Sequence, residues 1–341
     1  MKKKIYLFLA TFALMALLTP FGAKGQTHTV FQARHLAGTN TPVVFSGTVI
    51  ENDPHFFIQA TDANNNTAGI RVVYTGDVPI AVGDVVTVHA NKVTLGNAWG
   101  EVWIGNSDIS DIAVVGHDDA PLVRNTSLEE MKNKHYPATS AHVMNDNYQH
   151  TLVKISNLTV VERIASGVYS GDYILANSNG TRDTLCYFGD DALNLQPGLL
   201  LKSVTAVNFR QCGNNTSYNY RKLLLRSPAD IEFSTKTIHY ARTHLNQTHV
   251  VEGVLSYVHD EESGMDVFIS DYSGGLALRF DSHPSLSIGD KVIMAVHPTN
   301  NSGRILSSSI LKMDTGLVSL LGIRKRHIVF FLPNAELSLE I

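Results

Sequence analysis

Two stretches of this chain place a glycine and a Gly-Asp pair the same distance apart. VVFSGTV (43–49) is followed by AVGDVVTV (81–88), and HVVEGVL (249–255) by SIGDKVIM (287–294). From Gly47 to Gly83 and from Gly253 to Gly289 the interval is 36 residues in both cases. Between these marks lie two apolar runs in the same order, FFIQA (56–60) and GIRVVY (69–74), then VFISD (267–271) and GLALRF (275–280). A fixed internal period means that one supersecondary unit has been used at least twice, which constrains architecture before any chemistry is considered.

Period-2 alternation dominates the chain and helical periodicity is nearly absent. In the first copy the alternation predicts strands over 43–50, 55–61, 69–75, 84–93 and 101–109. In the third it predicts 249–258, 265–271, 275–281, 290–297 and 304–312. Turn chemistry separates them, as at Asn52-Asp53-Pro54, Asp62 to Asn66 and Pro298 to Gly303. A longer, more degenerate copy lies between, with HTLVKISNLTVV (150–161), DYILANS (172–178), TRDTLCYFG (181–189), LLLKSVTAVNF (199–209) and RKLLLRS (221–227). Pro197-Gly198 stands there in place of Gly-Asp. Each copy follows a segment able to form one or two helical turns: VFQARHL (30–36), SLEEMKN (127–133) and IHYARTHL (238–245). In the second, Ser127 and Glu130 have the spacing of a capping box.

Five short antiparallel strands with a glycine in the first describe a small coiled barrel of the OB type, since strand glycines permit the bends such barrels need. An immunoglobulin-like sandwich is the rival, but it wants about seven strands per unit. The expected fold class is therefore all-β, three tandem five-stranded OB-like β-barrels after a signal peptide. Their boundaries fall at 26–117, 118–233 and 234–314.

The run from Val43 to Val88 also resembles the OB-fold modules of secreted bacterial extracellular nucleases and of bacterial cell-surface proteins. In those modules a "GxV" strand leads to "FFIQD", an Asp/Asn-rich turn, a "GIxV" strand and "VGDxVxVxG". The resemblance covers most of 30–110, 238–312 more loosely, and the middle copy mainly by strand order. It departs at Asp62-Ala63-Asn64-Asn65-Asn66, which replaces the usual acidic turn, and at Ala90, where a glycine is expected. Nothing in the chain resembles the nuclease catalytic domain.

The first 25 residues read as a secretory signal peptide. Lys2, Lys3 and Lys4 precede an uncharged apolar run, Ile5–Leu18, and Ala23-Lys24-Gly25 offers small residues at a cut before Gln26. An N-terminal anchor that is retained is the alternative. Cleavage loses four lysines and no acid, which moves the formal charge from −4 to −8. A mildly acidic exported chain is a poor partner for phosphate backbones, which need clustered Lys and Arg. Localisation is expected to be secreted or at the cell surface. There export makes a disulfide between Cys186 and Cys212 chemically permissible, with two buried thiols as the alternative.

OB-type barrels bind on the face of strands 2 and 3 and on the adjoining loops. In the first copy this places Phe57, Tyr74, Trp99 and Trp103 as candidate ligand residues. Trp99, Glu101 and Trp103 alternate with Val102 and Ile104. Flat rings stack on sugars or bases, though the tryptophan side of this strand can equally turn inward or meet a neighbouring barrel. In the middle copy Arg210, Tyr218, Tyr220 and Arg221 interleave cations with aromatics, as a single-strand-binding loop does. An ordinary hairpin edge, charged against edge pairing, explains the same residues. Asp62, Asn64 and Asn66 carry only a fragment of a calcium-loop pattern. The fifteen histidines show no H-x-x-x-H or H-E-x-x-H arrangement, and no G-x-S-x-G elbow is present. No metal, no cofactor and no catalytic residue are expected.

The tail, 315–341, behaves differently from the copies before it. Its end, VFFLPNAELSLEI, resembles the start of a type IX secretion sorting domain, where "YPNPA…L.I" is usual, but lacks the second proline. A truncated reading frame explains it equally well, with a C-terminal domain then missing. The sequence therefore points to a secreted, non-catalytic binding or spacer protein of tandem OB-like domains. Two alternatives are the part of an extracellular nuclease or phosphodiesterase that grips single-stranded nucleic acid, without its catalytic domain, and a polysaccharide-binding surface module.

Overall fold

The computed structural model describes residues 27–52, 56–96, 101–133, 148–167, 170–189, 193, 195–212, 219–261, 264–280, 285–298, 307–314, 330–332 and 335–337. Side chains are described at these positions except 132–133, 210–212, 219–221, 261, 307–314, 330–332 and 335–337. The expected signal peptide and most of the tail lie outside these residues. Contacts divide the chain into two compact units, residues 1–153 with 206–224 and residues 154–205 with 225–341.

In the first unit a short helix, α1 (Val30–His35), leads into β1 (Val43–Glu51), β2 (Phe56–Thr61), β3 (Thr67–Val72), β4 (Asp84–Ala90), β5 (Thr94–Leu95), β6 (Val102–Ile104) and β7 (Ile109–His117). Then come β8 (Arg124–Thr126) and α2 (Leu128–Asn133). The sheet order is β5-β6-β3-β2-β1-β4-β7, with β3 and β6 parallel through Arg71↔Trp103 and Val72↔Ile104. A meander of three strands, a fourth returning to the first and a fifth parallel to the third make an OB-like Greek key. Phe45, Val49, Ile58, Ile70, Val72, Val86, Val88, Val102 and Ile104 fill its interior, closed at one end by Val30 and Ala33 of α1.

The middle copy comprises β9 (Leu152–Arg163), β10 (Tyr173–Ala176), β11 (Arg182–Tyr187), β12 (Leu200–Cys212), β13 (Asn219–Leu225) and β14 (Ile231–Phe233). One sheet closes into a five-stranded barrel because β9 pairs with β12 as well as with β10. The closing contacts are His150 N–H to Asn208 O (2.8 Å), Asn208 N–H to Thr151 O (2.9 Å) and Val160 N–H to Leu199 O (2.9 Å).

In the second unit the third copy runs α3 (Ile238–Thr243), β15 (His249–Glu261), β16 (Gly264–Asp271), β17 (Gly274–Phe280), β18 (Lys291–Val296) and β19 (Ser307–Asp314), in the order β17-β16-β15-β18-β19. A final two-stranded ladder joins β20 (Phe330–Leu332) to β21 (Ala335–Leu337). The third copy has its own core, from Ile238, Val251, Leu255, Val267, Ile269, Leu278, Val292 and Met294.

The spacing that opened the sequence reading has a direct cause. Gly47 opposes Val86 and Gly253 opposes Val292 in the β1–β4 and β15–β18 ladders. The second glycine of each pair takes positive φ, +93° at Gly83 and +95° at Gly289, where a side chain is strained. Its N–H bonds back to the first strand, Gly83 to Val49 O and Gly289 to Leu255 O, both at 2.8 Å. The following aspartate closes the turn: Asp84 Oδ2 accepts from Ala81 N–H and Asp290 Oδ2 from Ser287 N–H, each at 2.8 Å. In the middle copy Pro197-Gly198 makes the same turn. Gly198 sits at φ +87° and donates to Val160 O at 2.7 Å. Pro at the second position and a positive-φ glycine at the third suit such a turn. All three first strands then slip register at the same place, between Val49 and Glu51, between Val160 and Glu162, and between Leu255 and Tyr257. Such irregularities bend a strand and raise its twist.

Two strand expectations need correction. The single strand read over 101–109 ends at Ile104, and a 3₁₀ turn at Asn106–Asp108 precedes a separate β7 that pairs on β4. The strand read over 304–312 is found at Ser307–Asp314, on the outer side of β18. It occupies the position that β7 has on β4 and β14 on β12. Alternation reports that a segment is extended and says nothing of its partner. The first helix carries a full capping box between Thr29 and Gln32. At Ser127 only half of one is seen: its hydroxyl accepts Glu130 N–H, while the Glu130 carboxylate takes the hydroxyls of Thr126 and Tyr148.

Candidate binding faces

Inward-facing Ile58, Ile70, Val72, Val102 and Ile104 leave Phe57, Gln59, Gly69, Arg71 and Trp103 on the outer side of β2, β3 and β6. This is the face that OB-type barrels use for ligands. Here the chain itself occupies it. Phe57 is fully buried, 5.4 Å edge-on from the Phe209 ring and 5.4 Å from His150. Gln59 Oε1 accepts Leu152 N–H at 2.7 Å and its amide donates to Leu122 O at 2.6 Å. Gly69 lies so close to the segment that a Cβ there would stand 1.8 Å from His150 O. Gln149 reaches Val102 N–H at 3.1 Å. Arg71 pairs with buried Glu101 at 2.5 Å, and His150 Nε2 is 3.7 Å from the same carboxylate. Residues 148–152 and Phe209 thus cover the face with ring packing and with polar contacts to Gln59, Val102 and Glu101.

The residues singled out by sequence therefore separate. Phe57 offers no ring to a ligand: its flat face is used for packing within the chain, which corrects the expectation placed on it. Trp103 is half-buried with the Arg71 guanidinium 5.4 Å from its ring centre, and Tyr74 lies edge-on to Phe56 at 6.0 Å. Trp99 and Tyr218 are outside the described residues. Arg210, Tyr220 and Arg221 lie on β12 and β13, where Arg210 opposes Arg221 and Gln211 opposes Tyr220; their side chains are outside the described residues. Cys186 is buried on β11, whereas the side chain of Cys212 is not described, so the disulfide stands as an expectation. Asp62 receives the N–H groups of Asn64 (2.8 Å) and Asn66 (2.9 Å) and the Asn66 amide. Those bonds, the Asn66 backbone first, hold its carboxyl below the usual range. They make it a loop-organising residue.

Among the described residues the equivalent face of the third copy is partly exposed. In the shared register Phe268 stands where Phe57 does, opposite Ala277 as Phe57 is opposite Arg71, and Tyr257 follows the slip as Glu51 does in the first copy. Tyr257 is 44 % exposed and meets Phe268 edge-on at 5.4 Å. His259, also exposed, lies against Tyr257 with ring centres 6.2 Å apart. Arg279 and Asp266 flank the pair and join at 3.2 Å. In the middle copy Ile174 and Thr184 occupy the corresponding positions, without an aromatic ring. Sequence reasoning passed over Tyr257 and Phe268. The signal available was the alignment of FFIQA with VFISD, which marks Phe268 as the counterpart of Phe57.

No family model and no curated protein matches this sequence. Solved structures that resemble it in part include the tetrameric p202 HIN2, at 11 % identity and TM-score 0.23 over 49 % of this chain and 92 % of that one. A murine DNA-binding protein bound with double-stranded DNA has 11 % identity and TM-score 0.23 over 48 % and 93 %. The Ifi202 HINa domain in complex with 20-bp double-stranded DNA has 8 % identity and TM-score 0.20 over 81 % and 94 %. Similarity this weak carries no functional argument. The class to which this chain belongs, all-β with OB-like Greek-key sheets, rests on its own strand pairing. Among the described residues no helix is long and apolar enough to cross a membrane, which says nothing of β-barrels.

Proposed function

We propose that this chain is an exported, non-catalytic binding and spacer protein of the bacterial cell surface, with its ligand contact on the outer face of β15, β16 and β17. The observation that carries this reading is the contrast between two equivalent faces. Phe57 is sealed under residues 148–152, while Tyr257 is exposed with Phe268 half-buried against it. An exposed ring backed by a second one serves as a stacking platform. The charges beside them, Arg279 and Asp266, neutralise each other, which suits an uncharged polysaccharide better than a phosphate backbone. A Tyr257→Ala/Phe268→Ala variant is expected to lose at least tenfold in retention on a neutral polysaccharide array with its far-UV CD unchanged. Wild-type retention by that variant overturns the assignment.

A second reading, the strand-gripping part of a nuclease, draws support from Arg210 opposite Arg221 beside Tyr220. It expects salt-sensitive binding of a single-stranded oligothymidylate that weakens in Arg210→Ala/Arg221→Ala. Absence of such binding at low salt removes it.

A further inference from the structure

The eighteen residues from Ser234 to Val251 contain no Asp or Glu, in a chain whose formal charge is −4. They carry Lys236, His239, Arg242, His244 and His249, with Tyr240 among them. The structure holds this segment rigidly at one end of the third copy. Thr237 Oγ1 caps Tyr240 N–H at 3.1 Å, and Ile238 and Ala241 are buried in the core. Ile238 N–H donates to Asp271 Oδ2 (2.9 Å) and His239 N–H to Ser273 Oγ (3.0 Å). The Asp271 carboxylate also takes the N–H groups of Ser273 and Gly274 and the Ser273 hydroxyl, so its charge is held by the turn it organises.

What projects outward is basic and aromatic. Tyr240 and His244 stack nearly parallel, 9° apart with ring centres at 3.8 Å, and Lys236 Nζ lies 5.5 Å from the Tyr240 ring. Arg242 Nη1 donates to Gly275 O at 3.3 Å, which draws the guanidinium across the β16–β17 turn. At the tip of that turn Tyr272 is 90 % exposed.

We infer that Lys236, Arg242 and Tyr272 form a binding surface for an acidic polysaccharide, separate from the sheet face assigned above. Two permanent cations attract carboxylate or sulfate groups, and an exposed ring offers one platform for a sugar. A nucleic-acid strand wants successive free rings for successive bases. Tyr240 is already stacked on His244, which leaves Tyr272 as the open one in this patch.

The test uses the full chain on dextran sulfate and on polygalacturonate at low salt, with a single-stranded oligothymidylate alongside. Wild type is expected to be retained by at least one acidic polysaccharide and released by salt. The polymer that retains it identifies sulfate or carboxylate as the group bound. Lys236→Ala/Arg242→Ala is expected to bind about tenfold more weakly. Tyr272→Ala, at an exposed turn where folding is unaffected, must weaken binding too. Tyr257→Ala/Phe268→Ala must leave it unchanged, which separates this surface from the sheet face. No retention on either acidic polymer, undiminished retention of either the Lys236/Arg242 or the Tyr272 variant, or tighter binding of the oligothymidylate overturns the inference.

Discussion

A Cβ added at Gly47 would stand 2.6 Å from Ile58 Cγ2 and 2.8 Å from Gln59 O, whereas at Gly253 the nearest atom is Ser270 O at 3.1 Å. The two glycines share a place in the pattern but not the same need for it. Gly47→Ala is expected to destabilise by about 1–3 kcal/mol, the range for overpacking, and Gly253→Ala by less. Urea midpoints of the two variants check the order, and equal midpoints contradict it. Gly69→Ala should be worse than either, because its Cβ meets backbone at His150. The glycines and the Gly-Asp turns were legible in sequence because backbone geometry restricts residue type directly. The fate of Phe57 was not. A buried and an exposed phenylalanine occupy the same alternation, and the difference lies in residues about 90 positions away.

Between elements, the ties are local polar links whose pH behaviour follows from their signs. Glu232 on β14 receives Lys154 of β9 at 2.6 Å and Lys202 of β12 at 3.2 Å. These bonds, the Lys154 one first, lower its pKa to about 2. A depressed carboxylate contributes stability that is present above its ordinary value near 4.5 and lost as pH falls toward 2. Glu232 is 43 % exposed, so solvent screens the link and the effect is small. Glu232→Gln is expected to flatten the acid limb of the thermal stability curve below pH 4.5 slightly, and added salt to do the same. His117 ties β7 to β4 through Asp84 at 3.1 Å and also meets Asp119 at 3.1 Å. The bond from Asp84 raises its pKa above 6.5, so the link is strongest where His117 is protonated and Asp84 still ionised, and it fades as pH rises through the folded value of His117. An NMR titration should show the His117 midpoint fall in Asp84→Asn. Strand existence was readable here because alternation is local. Pairing of β7, β14 and β19 outside the fourth strands was not, since nothing in an alternating segment names its partner.

At the scale of the molecule, neither compact unit is a continuous stretch of chain, because the first takes up residues 206–224 after an interval. The third copy differs: among the described residues its core is drawn from Ile238 to Val296. A fragment 234–314 is expected to fold alone, with a cooperative thermal transition by CD. A fragment 26–117 has the apolar core of the first copy but leaves Phe57 and Gly69 uncovered. It is expected to self-associate in size-exclusion chromatography, as exposed apolar patches do. A Phe57→Ser change should reduce that association; a monodisperse unmodified fragment contradicts the prediction.

The cover over Phe57 also sets a timetable. Its partner Phe209 is made 152 residues later, an interval of about 8–30 s at ordinary rates of synthesis. Until Phe209 is made the cover over the first barrel is incomplete, so that barrel can reach its finished packing only after the whole of the first unit has been made.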